Sequence, residues 1–484
     1  MISAWMAAFP EEERMHGGSE PTTIAGQLAA FTHGFSLKTA PPEVVKSAQL
    51  VLLDSLGCAL GALGCDAATI LEESIEDFGG GNPEATLFGS GLRTNVLNAV
   101  IVNGTLVRYL DASDAYIVLA PRGGSAGAHP SDAVAMVLAL AERQGISGPG
   151  VLEAIVLAYQ LYGGLSHYEM VPLAWKGWTM EAKGPLVTPL IAGRLLGLRE
   201  DQLEQAVAIS GTHGFPLGIL DSEGEEYGMT KSIRFPRIAQ QGILAAYQAG
   251  RGFTGTRRVI EGNNGWKDVI MQGEYDLENL DVDPGTIGWV VSNAFIKTFT
   301  AEGTQQGHLN ATWDLITKHD IRPEDVERVD LLATTRTVTH CGGPEKMDPH
   351  TKELADHSAY YVTAAMIVDR ALGPAQYLRT SMENPEIRAL MERVSIEPDP
   401  ELDPTAVGGA STITLRSGQV YTARVEYSRG HPRNPMSYDD EVEKFMALAI
   451  PVVGEAQARR VERAVTDLAA QPNVGDLMDA MTVS

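Results

Sequence analysis

The chain has 484 residues, of which 44% are hydrophobic and 20% are charged, and this is the balance of a globular protein. That length can supply two or three domains and bury a large core. The formal net charge of −25 argues against nucleic acid or an anionic membrane as the main partner. The same average field would repel an anionic substrate, so a site for one must gather its own Lys and Arg.

The cysteines and the N-terminal stretch bear on the cellular compartment. Cys58, Cys65 and Cys341 provide no disulfide framework, and the lack of a C-x-x-C pair argues against an iron–sulfur cluster. The acidic stretch at residues 11–13 stands where a signal or transit peptide avoids acids. No stretch approaches the roughly 18 apolar residues that a membrane span needs. We therefore expect a soluble, cytoplasmic protein without a membrane partner.

The first part of the chain, from Thr23 to about Leu280, has a mostly helical pattern. Pro41 and Pro42 precede a helix over residues 43–62, in which apolar residues recur at helical spacing. Further helices are predicted over 98–110, 132–143, 148–162, 186–196, 199–210 and 232–249. Many of them are rich in Ala and Leu over wide faces, which is typical of a bundle whose central helices are buried.

Composition changes near residues 281–284, and β-branched runs appear beyond that point. Strands are predicted over residues 326–333, 394–398, 411–415 and 420–427. The last two flank Arg416, Ser417 and Gly418, which is the pattern of a hairpin. Helices over 305–319 and 358–371 lie between the strands, and from Tyr438 the chain is helical again.

The order of these elements predicts a mainly α protein with an α+β part. Residues 20–283 plus 433–484 are predicted to form a large all-helical domain. Residues 284–432 are predicted to form a smaller α+β domain inserted into the larger one.

One polar stretch interrupts the helical part and holds the candidate catalytic groups. Arg108, Asp111 and Asp114 lie in one apolar window, and a Gly-rich loop then leads to His129. Ser131 follows as a natural N-cap of the next helix. One interpretation is structural, with the aspartates as caps and His129 as a loop residue. The other is an acid/base cluster, because a His near carboxylates can titrate close to neutral pH.

The same stretch resembles the signature of the MmgE/PrpD family. The resemblance is carried by N-G-T-x-V-R-Y-L-D-x-x-D, beginning at Asn103, and by H-P-S-D at His129. Further matches lie at residues 183–196, 228–249, 293–297, 355–361 and 430–432. The resemblance therefore extends along nearly the whole chain. It implies a helical domain, an inserted lid-like domain and an active site between them.

The activity that this resemblance implies is that of a cofactor-independent hydro-lyase similar to 2-methylcitrate dehydratase. Such an enzyme removes a proton next to a carboxylate of a small di- or tricarboxylate. The resemblance also implies a homodimer. A metal site is not expected, because Asp111, Asp114, His129 and His357 are ligand types without a recognised ligand pattern.

Basic residues that could hold a carboxylate are scattered along the chain. Lys231 lies in the first turn of a predicted helix, where a cation opposes the helix dipole unless it grips an anion. Lys183 precedes another apolar helix, although Glu181 could simply pair with it. Arg108 and Lys297 complete the proposed clamp, and burial of Lys297 without an anion would be costly.

The inserted domain is expected to add groups when it closes. His357 and Tyr361 match family positions that reach the pocket, whereas His431 is interpreted as a hinge or interdomain contact. The candidate catalytic residues are therefore Asp111, His129, Lys231, His357 and Tyr361, and the candidate substrate-binding residues are Arg108, Asp114, Lys183 and Lys297.

Departures from the family pattern lie where substrate shape would be read. Ala115 stands where many members have Thr, and no His lies near Trp178, where cis-aconitate decarboxylases carry one. The loop from Asp114 to His129 is unusually long and Gly-rich, and the segment after Lys297 lacks the usual Pro and His. Alternatives therefore stay open. They are an isomerase, epimerase or decarboxylase of a related polycarboxylate, and a family member that only binds a carboxylate.

Overall fold

Helices build most of the protein, whose computed structural model describes residues 22–483. The predicted mainly α content with a smaller β part is confirmed. The expectation about the acidic stretch at residues 11–13 lies outside the described residues.

The first part of the chain contains helices α1 to α11, and the predicted helices lie within a few residues of the observed ones. Their bounds are α1 Ile24–Gly34, α2 Pro42–Gly61, α3 Asp66–Asp77, α4 Val96–Tyr109, α5 Val134–Gln144, α6 Gly148–Gly164, α7 Gly184–Leu195, α8 Glu200–Ser210, α9 Thr230–Gly250, α10 Trp266–Val269 and α11 Pro284–Ile287. Helix α2 starts after Pro41 with Pro42 in its first turn, where the missing amide hydrogen costs nothing.

The prediction that this part is all-helical is wrong, because it also contains two short antiparallel ribbons. Strand β1 (Ala85–Thr86) pairs with β2 (Arg93–Thr94), and β3 (Tyr116–Leu119) pairs with β4 (Ser125–Ala128). The second ribbon replaces most of the loop that was expected between Asp114 and His129. Gly123 and Gly124, both with positive φ, allow the tight turn that joins its strands.

The second part of the chain forms a four-stranded sheet with helices packed on it. Its elements are α12 Gln306–Lys318, β5 Val326–Ala333, α13 Thr335–Cys341, α14 Lys352–Ala355, α15 Ala359–Asp369, α16 Arg379–Met382, α17 Pro385–Met391, β6 Val394–Pro398, β7 Gly409–Leu415 and β8 Val420–Val425. The strand order is β6-β5-β7-β8, with β5 and β6 parallel and the other pairs antiparallel. The predicted hairpin is the β7–β8 pair. Helices α18 Tyr438–Val453, α19 Glu455–Thr466 and α20 Gly475–Ala480 then close the chain.

The buried hydrophobic side chains fall into two large clusters. The first core draws on residues 24–296 and 436–481, so helices from both ends of the chain share it. The second core draws on residues 299–413. A small third cluster of Ala115, Phe295 and Val407 lies at the base of the β3–β4 hairpin. The domain boundaries stay predictions, but the site described below lies where the two cores meet.

Helix α2 contradicts the expectation that no stretch of the chain is apolar enough to span a membrane. An 18-residue window of this 20-residue helix has a mean hydropathy of 1.4, which suffices by length and composition alone. In the structure 72% of this window is buried, and α2 packs against α18 and α4. Buried Asp54 in α2 binds the Lys444 ammonium of α18. Its apolar character is therefore that of a core helix.

Candidate active site between the two cores

Three cations from distant parts of the chain meet one carboxylate at the end of α4. Asp111 follows that helix, and its Oδ1 lies 2.7 Å from Arg108 Nη1 and 2.6 Å from Lys297 Nζ. Its Oδ2 lies 2.6 Å from Lys231 Nζ, in the first turn of α9. All four side chains are buried. We call Arg108, Lys231 and Lys297 the cation cluster.

The backbone at Asp111 presents this carboxylate from an unusual conformation. Its φ is +50°, a left-handed value that Asp and Asn tolerate better than most other residues. The Asp111 carbonyl also accepts a hydrogen bond of 2.8 Å from Lys297 Nζ, which fixes the turn. The carboxylate at the centre of the site, that of Asp111, therefore stands on a tight turn of the chain.

The electrostatics of the cluster follow from its burial and its charge count. Burial opposes ionisation of Asp111, but Arg108, Lys231 and Lys297 together hold the pKa of this carboxyl well below its usual range. Burial lowers the pKa of Lys297, whereas the carboxylates around Lys231 outweigh its burial and raise its pKa. At neutral pH one carboxylate thus contacts three cations, an arrangement suited to a further anion.

Asp132 provides a more distant partner for Arg108. Its Oδ1 lies 3.9 Å from Arg108 Nε, and burial raises the pKa of Asp132 to about 7. Partial protonation near neutral pH weakens its charge, so Asp132 compensates Arg108 only in part.

His129 stands on the wall of the same cavity, directly after β4. Its Nδ1 donates a hydrogen bond of 2.7 Å to the carbonyl of Asp114, because a carbonyl can only accept. Within residues 22–483, Nε2 has no hydrogen-bond partner. Burial, followed by the charges of Arg108 and Lys297, lowers the pKa of His129 well below its usual value. His129 is therefore a neutral imidazole with a free lone pair facing the cavity.

The helix start next to His129 differs from the sequence prediction. Residues Pro130–Ala133 form a 3₁₀ turn, and α5 begins only at Val134, so Ser131 is not its N-cap. The Ser131 amide instead donates to Asp114 Oδ1 at 3.3 Å. Asp114 thus holds both His129 and the turn that follows it.

His357 approaches Asp111 from the second core. Its Nδ1 donates to the Asp356 carboxylate, which also accepts a 2.6 Å bond from Lys352 Nζ. Its Nε2 lies 3.8 Å from Asp111 Oδ2 and 3.5 Å from Asp221 Oδ1. Asp356 therefore orients the imidazole of His357, as carboxylates commonly orient catalytic His.

Three predicted site residues lie behind the cavity wall. Buried Lys183 binds the Glu169 carboxylate and the carbonyl of Gly127, the latter at 2.7 Å. The hydroxyl of Tyr361 donates to the Gln376 carbonyl. Asp114 is also buried, and burial raises its pKa to about 6. Lys183 and Asp114 support the segment that carries His129, whereas Tyr361 belongs to the second core.

Several groups of the site escaped the sequence reasoning. Asp221 ends a 3₁₀ turn, and its Oδ2 lies 3.3 Å from Arg234 Nη1. His340 in α13 lies with its Nε2 3.9 Å from Asp221 Oδ1, and burial lowers the pKa of His340 to about 4. Glu302 and Arg336 also line the cavity. Asp221 and His340 stand in segments without a recognisable motif, so only the fold brings them here.

These residues surround two neighbouring cavities. The inner cavity has a volume of about 60 Å³ and is lined by the cation cluster, Asp111, His129 and His357. The outer cavity has a volume of about 830 Å³. Asp221, Arg336 and His340 line both, so the two are adjoining parts of one cleft. The inner part has room for a few water molecules or a single carboxylate group.

Two groups of side chains at this cleft have the geometry of possible metal ligands. Asp221, His340 and His357 form one, and Asp111, Asp356 and His357 form the other, with donor atoms within 4.8 Å of one another. Lys231 contacts Asp111 and the Arg234 guanidinium lies against Asp221, so fixed cations oppose a divalent ion at both places. The expectation that the protein works without a metal stays a prediction.

The chain is similar to known proteins over most of its length. The family model for the MmgE/PrpD N-terminal domain matches residues 26–278, and that for the MmgE/PrpD C-terminal domain matches residues 299–470. The chain belongs to the MmgE/PrpD family.

Decarboxylases and dehydratases are both among the relatives that match this chain. Cis-aconitate decarboxylase of Mus musculus is 24% identical over 452 residues, which cover 88% of this chain and 87% of the relative. The human cis-aconitate decarboxylase is 25% identical over 447 residues, covering 88% of each chain. The 2-methylcitrate dehydratase of Cupriavidus necator is also 25% identical over 447 residues, covering 86% of this chain and 87% of the relative. An identity of 24–25% to each of these relatives does not by itself separate dehydration from decarboxylation.

Proposed function

We propose that this protein is a cofactor-independent hydro-lyase that dehydrates a small di- or tricarboxylate in the manner of a 2-methylcitrate dehydratase. The observation that carries the proposal is the convergence of Arg108, Lys231 and Lys297 on one buried carboxylate beside His129. Such a concentration of cations in a chain with a net charge of −25 is suited to an anionic substrate.

The cation cluster meets the main electrostatic demand of the reaction. Removing a proton next to a carboxylate spreads negative charge onto that carboxylate in the transition state. Fixed cations in a buried site stabilise this charge, because they are already oriented and little water screens them. We assign one substrate carboxylate to the inner cavity, where it shares the cations with Asp111.

The two imidazoles on the cavity wall supply the proton transfers. The free Nε2 of neutral His129 is placed to accept the proton. His357 is held by Asp356, with its Nε2 3.8 Å from Asp111 Oδ2, and is assigned to protonate the departing hydroxyl. Asp111 sets the charge of the cluster and stays ionised throughout, because its pKa is low.

The wall near Trp178 favours dehydration over decarboxylation. Cis-aconitate decarboxylases carry a His near this place, whereas Trp178, Thr179 and Met180 line the outer cavity here. The homodimer and the cytoplasmic location expected from the family stay predictions.

The central test replaces His129. We expect His129→Ala to lower kcat on the best substrate by about 10²–10⁴, because the base is removed while the cations remain. The assay follows formation of C=C bonds from 2-methylcitrate and citrate and loss of cis-aconitate, with and without EDTA. The exposed His213→Ala is the matched control and is expected to retain wild-type rates. Near wild-type turnover in the His129 variant would remove this residue from the mechanism.

A second variant separates binding from proton transfer. Lys231→Met keeps most of the buried volume but removes one cation, so we expect a higher KM for the same substrates. An unchanged saturation curve would contradict the clamp. Binding of the panel acids without turnover of any would favour the non-catalytic alternative, and activity lost to EDTA would favour a metal enzyme.

A further inference from the structure

We propose that the substrate carries an uncharged, apolar substituent of several carbons in addition to its carboxylates, and that this substituent lies in the outer cavity against Trp175. The inference rests on the proposed function, because it assigns the carboxylates to the cation cluster. A volume of about 60 Å³ in the inner cavity holds one end of such a molecule, and about 830 Å³ adjoin it.

The outer cavity has apolar side chains that the protein itself leaves uncovered. Trp175 is 61% exposed and Ile219 is 57% exposed, and both line this cavity. Pro172, Trp178 and Leu402 add to the same lining. Large apolar side chains left open to water beside a polar site commonly mark a place where an apolar ligand group binds. Covering them with a ligand removes apolar surface from water, which favours binding.

Backbone contacts fix this wall before any ligand arrives. Trp178 forms an antiparallel bridge to Leu217, and the amide of Gly218 donates to the Gly177 carbonyl at 2.8 Å. On the other side the β3–β4 turn packs so closely that a Cβ at Gly124 would lie 2.8 Å from Trp175 Cζ2. A ligand group in the cavity therefore does not have to order the loop that carries Trp175, which lowers the cost of binding.

The charges of the outer cavity argue against an anionic group at the end of the substrate that lies farthest from the cation cluster. Arg234 is paired with Glu181 at 2.9 Å, and Arg336 donates to the Ser125 carbonyl at 3.3 Å. Asp221 and Glu223 line the same cavity. Together with Glu181 and Asp399, these acids are four against the two lining arginines. A phosphate or an additional carboxylate at that far end would be repelled, whereas a hydrocarbon chain meets no such penalty.

The test measures binding of 2-alkylsuccinates, from methyl to octyl, by isothermal titration calorimetry on the full chain. These dicarboxylates lack a hydroxyl to eliminate, so affinity is read without turnover. We expect the affinity of the wild type to rise about two- to fourfold per added methylene until the cavity is filled. In Trp175→Ala this gain per methylene should shrink markedly, while the affinity for 2-methylsuccinate stays within about twofold.

Phe253→Ala is the matched control, because this aromatic side chain is 59% exposed and does not line the outer cavity. It should leave the gain per methylene unchanged. Equal affinities along the series, or an unaltered gain in Trp175→Ala, would overturn the inference. If 2-methylsuccinate binds and responds to Lys231→Met while the gain is absent, the inference alone fails. If no member of the series binds, the inference fails together with the proposed clamp.

Discussion

His129 shows how the surroundings of a single residue set its chemistry. Its Nδ1 hydrogen is committed to the Asp114 carbonyl, and burial and nearby cations disfavour a second proton. The imidazole is therefore neutral at and above neutral pH without help from the substrate. It becomes charged only when the pH falls through a pKa that lies below the usual value of about 6.5.

This environment predicts the pH dependence of the reaction. Because a protonated His129 cannot accept a proton, kcat/KM should fall on the acid side with a midpoint below about pH 6.5. Burial also lowers the pKa of Lys297, so loss of its charge should contribute to a fall on the alkaline side. A pH–rate profile from pH 4 to 10 measures both limbs.

A substitution of His129 tests whether this residue causes the acid limb of the pH–rate profile. His129→Gln keeps a hydrogen-bonding side chain at this position but has no group that titrates in this range. Its residual activity should lack the acid limb seen in the wild type. An acid limb that persists at the same pH, or a wild-type midpoint at pH 7 or above, would exclude His129 as the base.

The sequence identifies charged residues of the site better than it identifies their partners. Arg108, Asp111, Lys231 and Lys297 stand at positions where charge is costly unless it is used, and all four line the inner cavity. Lys183 has the same kind of position, yet it pairs with Glu169 behind the wall. That pairing depends on a tertiary contact, which local sequence does not encode. For the same reason nothing in the sequence distinguishes Asp221 or His340 from ordinary residues.

Among the elements, the β3–β4 hairpin has the most direct influence on the site. It ends one residue before His129, and its two strands pair from Tyr116 with Ala128 to Leu119 with Ser125. Gly127 allows the strands to lie this close, because a Cβ there would meet the Tyr116 carbonyl oxygen at 2.4 Å. The hairpin therefore sets the distance between His129 and the cation cluster.

Gly127→Ala should separate these strands and displace His129. We expect a loss of about 1–3 kcal/mol in stability, as for other overpacked buried sites, and a fall in kcat of roughly 10²-fold from the misplaced base. Urea denaturation and the lyase assay measure the two effects. Ser125→Ala on the same strand removes only a 3.4 Å bond to the Pro404 carbonyl and should change stability by less than about 0.5 kcal/mol. Equal behaviour of the two variants would contradict this role of the hairpin.

At this scale the periodic elements were predictable and the irregular ones were not. Strands β5 and β6 begin and end at the predicted residues, because β-branched runs bounded by turns have few alternative structures. The sequence predicts a loop in place of the hairpin, because a Gly-rich segment viewed alone indicates conformational freedom. Here the glycines allow close strand pairing and a tight turn, which becomes clear only when both strands are in place.

The chain passes between the two cores twice, near Ile296 and near Gly430, and these two segments lie side by side. The Ile296 amide donates to the Gly430 carbonyl at 3.1 Å, one residue before Lys297. A Cβ at Gly430 would lie 1.8 Å from the Ile296 carbonyl oxygen, and the φ of Gly430 is +89°. His431, predicted as a hinge or interdomain contact, follows directly, and its Nε2 lies 3.1 Å from the Thr405 carbonyl oxygen. Movement of the second part as a lid stays a prediction.

Gly430→Ala should force these two segments apart. We expect a clear fall in Tm and a lower kcat/KM, because the displaced segment at Ile296 leads directly into Lys297. Gly418→Ala is the matched control, since its φ is +86° but no atom lies within 4 Å of the added methyl group. That variant should lose about 1–2 kcal/mol from backbone strain alone and keep its activity. Thermal unfolding and steady-state kinetics distinguish the two, and equal activity in both would contradict a link between the junction and the site.

Because the cleft lies between the two cores, a bound ligand should make the two cores unfold together. A substrate whose carboxylate is held by Lys231 of the first core and whose hydroxyl meets His357 beside the second binds only when both are folded and docked. By mass action, a ligand at one hundred times its Kd adds about 2.7 kcal/mol to the stability of that combined state. Saturation should therefore merge the melting of the two parts into a single transition, so that the supply of ligand itself protects the folded protein.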